Sequence, residues 1–176
     1  PLGFIKDINP LLALTEMQAS ITHNTFSSII SAKIISLLYH YTIYNLGKKV
    51  DCISFIKENL YKNYEFRSDI HPDIQDEYFN KIEPLTGKIA LNGFKASLNI
   101  LDLFLSHNNE KDLLLDVIDR TGDADTGASL ALGLATLSSE YEHNLPNDFI
   151  EKFKNMEPQI NRLLKVNNDL NNLFIK

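Results

Sequence analysis

The chain has a single cysteine, Cys52, in 176 residues. One thiol excludes an internal disulfide and a zinc site built on cysteines, and it points to a reducing compartment, by default the cytoplasm. Basic charge is also scarce: 17 Lys and Arg face 23 Asp and Glu, for a net charge of −6. The basic residues form no stripe that could neutralise phosphates, so no nucleic-acid partner is expected. A long hydrocarbon-compatible run is missing too. The most apolar stretch, residues 26–46, contains Ser27, Ser28, Lys33 and His40, all costly in a bilayer core, so it reads as a buried helix and no membrane partner is expected. There is no low-complexity tract, and no secretory signal opens the chain at Pro1, which leaves targeting by an upstream segment open. The first residues are Pro1-Leu2-Gly3-Phe4 rather than a methionine, which reads as the interior of a longer polypeptide.

What is present is the composition of an ordinary globular protein, 44% hydrophobic and 23% charged. A chain of 20.0 kDa buries about two thirds of its unfolded surface in one domain, here residues 1–176. Apolar residues recur at helical spacing, and no segment of six or more alternates as a strand would. The expected fold is all-α, a compact multi-helix orthogonal bundle around a central apolar helix. Ile30, Ile34, Leu37, Tyr41 and Tyr44 mark one face of that helix, and Ile29, Ile35 and Leu38 fill the adjoining face. Further helices are expected over about 10–22, over 53–62 behind the capping candidate Asp51, over 72–81, over 93–105 and over 110–120. Another runs from Asp123 to about Tyr141, with a short one after Pro146 and a last one over 158–174. Ile160, Leu163, Leu164, Leu170, Leu173 and Phe174 share one side of the last. Connections are expected at 64–71 and 84–87.

The segment Gly122-Asp123-Ala124-Asp125-Thr126-Gly127-Ala128 joins the end of one helical pattern to a helix rich in small residues. Two carboxylates one residue apart and a hydroxyl directly after them can present three hard oxygen donors, the kind Mg²⁺ and Mn²⁺ choose. The same residues also suit a plain helix start, with Asp123 as cap and Asp125 complementing the helix dipole. The helix that follows carries Gly127, Ala128, Ser129, Ala131, Gly133 and Ala135 within nine positions. Glycine costs about 1 kcal/mol against alanine inside a helix, so the small positions imply close packing by a neighbour.

Residues 113–134, LLLDVIDRTGDADTGASLALGL, resemble the C-terminal signature of the ADP-ribosylglycohydrolase family, which includes dinitrogenase reductase-activating glycohydrolase. In that family a Gly-Asp-x-Asp-Thr segment precedes a small-residue helix and then a proline-started helix, here Leu145-Pro146-Asn147-Asp148-Phe149-Ile150. Ala19-Ser20-Ile21-Thr22-His23 is similar to the family's Leu-Thr-His element, Gly93-Phe94 to its Gly-aromatic element, and Pro1-Leu2-Gly3 to the segment after its glycine-rich substrate loop. The matches span about 1–153. Thr121 stands where many members have a second glycine. The family's Thr-Asp-Asp set and its glutamate near the scissile bond have no counterpart in these residues, so the chain is expected to be the C-terminal part of the domain.

The resemblance implies a hydrolase that releases ADP-ribose from a modified protein side chain or small adduct, using two Mg²⁺ or Mn²⁺ ions. It further implies that Asp123, Asp125 and Thr126 are metal ligands and that His23 and Phe94 touch ADP-ribose. The expected partner is an ADP-ribosylated protein or an ADP-ribose adduct. The alternatives are a catalytically silent relative, either an ADP-ribose-binding module or a crystallin-like structural protein, and a metal-dependent phosphohydrolase. The last would call for His-Asp pairs, which the sequence lacks.

Overall fold

The computed structural model describes residues 1–63, 79, 93–120, 123–156 and 158–174. These residues form eight α-helices: α1 Ile8–Thr22, α2 Phe26–Ile43, α3 Cys52–Asn63, α4 Gly93–Ser106, α5 Glu110–Arg120, α6 Ala124–Leu137, α7 Asn147–Lys154 and α8 Gln159–Phe174. Single 3-10 turns, Leu2–Phe4 and Lys49–Asp51, precede α1 and α3. Among the described residues there is no strand, only an isolated bridge between Asn109 and Glu142. The all-α expectation holds. No helix among the described residues is long and apolar enough to cross a membrane. The expected helix over 72–81 and the connections at 64–71 and 84–87 fall essentially outside the described residues.

Helix α2 is the axis of the bundle, and no residue of it is exposed. Thr25 opens it, its hydroxyl accepting the Ser28 N–H at 3.3 Å. It stops at Ile43, short of Leu46, because Asn45 adopts a left-handed conformation with φ 48°. The Leu46 N–H then bonds the Tyr41 carbonyl at 3.1 Å and the Asn45 N–H bonds the Thr42 carbonyl at 3.2 Å, the paired closure of a Schellman motif. Around α2 pack α1, α3, α4, α6 and the Leu2–Phe4 turn, while α5 lies on α6 and α4. Lys33, the charged residue inside the apolar run, is 2% exposed and donates to Glu16 of α1 at 2.6 Å. A buried ammonium keeps its charge only beside such a partner, so this bond fixes α1 against α2.

Several boundaries differ from the sequence expectation for identifiable reasons. α1 starts at Ile8, which puts Pro10 in the first turn, where its missing N–H has no partner to lose. Asp51 belongs to the 3-10 turn leading into α3. α6 ends at Leu137, not Tyr141. Tyr141 instead stacks on Phe104, with ring centroids 5.6 Å apart, and donates to the Phe104 carbonyl at 2.6 Å, which a continued helix would not permit. In α8 Ile160 is buried, but Leu163 and Leu164 are each 56% exposed, so the proposed apolar side is largely open where it is described.

The small residues of α6 accommodate a side chain from α2. A Cβ on Gly133 would lie 2.5 Å from the Tyr39 hydroxyl oxygen and 3.5 Å from Cζ, and that hydroxyl donates to the Leu130 carbonyl at 2.9 Å. The conflict is therefore with one oxygen, not with the ring. Gly133→Ala is expected to destabilise the protein by about 1–3 kcal/mol through overpacking, and to become neutral or stabilising in a Tyr39→Phe background. Thermal melts of the two single variants and the double variant check this; equal effects of Gly133→Ala in both backgrounds would refute it.

Cys52 is fully buried, and burial pushes its thiol up to about 12. The folded state holds this proton more tightly than the unfolded chain. The resulting stabilisation is complete below the ordinary thiol range, near 9, and is lost as pH climbs toward 12. Native protein at pH 8 should resist iodoacetamide while urea-unfolded protein reacts fully; rapid alkylation of the native form would contradict the burial.

Candidate active site

A cavity of about 490 Å³ lies between the N-terminal turn, α1, α2, α4 and the start of α6, a volume within the usual range of ligand sites. The N-terminal turn forms one wall because two side chains of α2 hold it. Tyr44 donates to the Phe4 carbonyl at 2.6 Å and His40 Nδ1 donates to the Ile5 carbonyl at 3.0 Å. Gly3 allows the approach, since a Cβ there would sit 2.8 Å from Tyr39 Cβ and 3.1 Å from the His40 nitrogen. Burial lowers the His40 pKa, against smaller opposing contributions from the backbone bonds to Ile5 and Gly3. The ring is thus kept neutral for this structural task.

The remaining walls are small and hydroxyl-rich. Ser31 and Ser36 of α2 and Thr15 of α1 border the space; Ser31 bonds the Ser27 carbonyl at 2.6 Å and Thr15 the Leu11 carbonyl at 2.8 Å. From α4 come Ser97 and Asn99, and Ser97 donates to the Phe94 carbonyl at 2.8 Å. Tyr39, already placed against Gly133, also faces the cavity.

Asp123 and Thr126 stand at the rim. Asp123 occupies the N-cap position of α6 yet makes no side-chain cap hydrogen bond; its backbone carbonyl takes the Gly127 N–H at 3.1 Å instead. Asp125 and Thr126 are exposed, and Asp123 is half-buried. The Asp125 carboxyl is held below the usual carboxylate range, first by a side-chain hydrogen bond with Asp123 and then by the backbone N–H groups of Thr126 and of Asp125 itself. Three neighbouring oxygen donors of this kind suit a hard divalent cation. Among the described residues no group of three or more His, Cys, Asp or Glu side chains forms a complete metal cluster. Thr121 and Gly122 lie outside the described residues.

The two expected substrate contacts are placed differently. Phe94 is 2% exposed and meets Phe79 edge-on, with centroids 6.2 Å apart. It belongs to the core behind its cavity-lining neighbours Gly93 and Ser97. His23 caps the C-terminal end of α1 and is exposed, with Nδ1 3.0 Å from the Thr22 hydroxyl. Neither residue borders the cavity.

Sequence reading overlooked a buried polar network beside the cavity. Arg120, the last residue of α5, donates from Nε to Asp116 at 2.7 Å and from Nη2 to the other Asp116 oxygen. Its Nη1 reaches Asp102 and the Asn99 side-chain oxygen on α4, the latter at 3.4 Å. Burial works against the guanidinium charge, but Asp116 and Asp102 outweigh it and hold the proton more tightly than usual. Arg120 precedes Asp123 by three residues and ties the end of α5 to α4. The Asp116-x-x-x-Arg120 spacing was visible as a one-turn pair; the Asp102 partner on another helix was not.

A model of the ADP-ribosylglycohydrolase family matches residues 1–175. The chain belongs to the ADP-ribosylglycohydrolase family. The match extends past residue 153 and includes α8, and the all-α architecture agrees with the family's fold. Comparisons with curated proteins and with solved structures gave no match. Membership makes the protein, at a coarse level, a glycohydrolase whose family acts on ADP-ribosylated substrates.

If Asp123 and Asp125 hold a cation, Asp125→Asn should lower Mn²⁺ affinity at least about tenfold, through loss of a charged oxygen ligand, without moving the thermal midpoint of the metal-free protein. Titration calorimetry checks this, and an unchanged affinity would refute the assignment.

Proposed function

We propose that this ADP-ribosylglycohydrolase cleaves the glycosidic bond at C1″ of ADP-ribose, releasing ADP-ribose from a modified protein side chain or a small adduct. Two Mg²⁺ or Mn²⁺ ions are the proposed cofactors. The observation that best supports this reading is Asp123: it sits where a capping aspartate would sit, makes no cap bond, and borders the cavity beside Thr126. The plain helix-start reading leaves that arrangement without a purpose.

In this reading Asp123, Asp125 and Thr126 hold the metal. Bound divalent ions would supply positive charge at the ribose hydroxyls or at an attacking water. The three side chains fill a minority of the roughly dozen coordination positions of two octahedral ions, so other oxygens complete the set. The start of α6 adds its helix dipole, which favours the negative charge of these carboxylates. The walls on α1, α2 and α4 orient the substrate. Phe94 acts by holding Gly93 and Ser97 in place, and His23, little more than one turn beyond the cavity-lining Gln18, is assigned to the outer part of the substrate. A cytoplasmic location fits the lone buried Cys52.

The test is release of ADP-ribose from ADP-ribosylated arginine and serine peptides, followed with and without EDTA. The expected result is turnover abolished by EDTA, restored by Mn²⁺ or Mg²⁺, and lost in Asp123→Ala with the melt still cooperative. Turnover insensitive to EDTA would refute the metal assignment. Binding of ADP-ribose with no turnover would favour the silent, ADP-ribose-binding relative.

A further inference from the structure

Asn99 is 2% exposed and borders the cavity. Its carboxamide oxygen is taken by Arg120 Nη1 at 3.4 Å, and that assignment fixes which way the amide faces, because a guanidinium has only donors to offer. The carboxamide nitrogen therefore points away from Arg120. It has no hydrogen-bond partner among the described residues, and it is not sealed away from solvent. An amide anchored through its oxygen, with its nitrogen left accessible beside a cavity, can exchange water for a ligand acceptor there without rearranging.

We propose that Asn99 is a substrate-binding residue whose carboxamide nitrogen donates to an acceptor oxygen of the bound ligand, and that Arg120 is the positioning residue that sets this orientation. The inference rests on the cavity being the ADP-ribose site proposed above. The acceptor is an oxygen of phosphate, hydroxyl or carbonyl type, since the nitrogen can only donate. Arg120 suits the positioning task because four bonds hold its planar fork in one geometry: two to Asp116 tie it to α5, and those to Asp102 and Asn99 tie it to α4. Asn99 and Asp102 are three residues apart on one face of α4, so one guanidinium aligns that face with the end of α5.

The probe is ADP-ribose, titrated by calorimetry in the presence of Mg²⁺ into the complete protein and into Asn99→Asp, Asn99→Leu and Arg120→Lys. Asn99→Asp keeps an acceptor for Arg120 and loses the donor. Asn99→Leu keeps the volume without adding a charge, in case the extra carboxylate harms folding. Both should weaken ADP-ribose binding at least about tenfold, the size of one lost hydrogen bond to a charged or well-placed acceptor. Arg120→Lys keeps the charge but not the fork and should weaken binding too, with no additional loss when combined with Asn99→Leu. A merely structural role for Arg120 would not produce that non-additivity. Wild-type affinity in both Asn99 variants, with tight binding by the unmodified protein, overturns this inference and leaves the proposed function standing. Additive losses in the double variant overturn the positioning role. Absence of ADP-ribose binding by the unmodified protein overturns the proposed function and this inference together.

Discussion

A helix with no exposed residue must be covered on every side, and that constraint on α2 organises the rest of the molecule. α1 is bound through the Lys33 to Glu16 pair, the N-terminal turn through His40 and Tyr44, and α6 through Tyr39 lying against Gly133. α3 and α4 complete the enclosure. The cavity is a broad opening between these elements, and each of its walls is a part of the covering. Small residues matter at two of the joints because α2 projects a tyrosine and its own backbone there. Any bulk added at Gly3 or Gly133 pushes on a side chain or a chain segment that also borders the cavity. Core packing and site geometry are thus the same problem at these positions.

Charge is arranged around that opening with a clear division. Asp123 stands half-buried at the rim, with Asp125 exposed beside it. Asp102 lies buried and Asp116 partly buried, and both pair with Arg120. Burying the Arg120 and Asp102 charges is unfavourable unless their mutual geometry is good. This network joins the end of α5 to α4 beside the cavity-lining Asn99. The neutral His40 and the protonated Cys52 are used differently, as packing and hydrogen-bonding groups with their titration pushed out of the way by burial.

The helical repeat of apolar residues was enough to read the fold class and the central helix, because Ile30, Ile34, Leu37, Leu38 and Tyr41 follow one period and are all buried. Helix ends were harder. The stop at Ile43 depends on a left-handed Asn45, and the stop at Leu137 depends on Tyr141 finding Phe104 across the core, a tertiary contact with no local signature. The acidic segment was legible as a local motif, and Asp123 and Thr126 lie at the cavity rim. Phe94 showed the limit of motif transfer: a residue beside a cavity-lining glycine on a helix points, one position later, into the core. Asn99 and Arg120 could not be found from spacing, since their partners come together only when α4 packs against the end of α5.

The central claim is that the carboxylates of the acidic segment form a divalent-metal site opening on the ADP-ribose cavity. The most direct measurement is an anomalous difference map from crystals of the protein soaked with Mn²⁺ and ADP-ribose. The account predicts manganese within bonding distance of Asp123 and Asp125 carboxylate oxygens, with the nucleotide sugar in the cavity between α2 and α4. Manganese bound elsewhere, or ADP-ribose seated away from these residues, would contradict it.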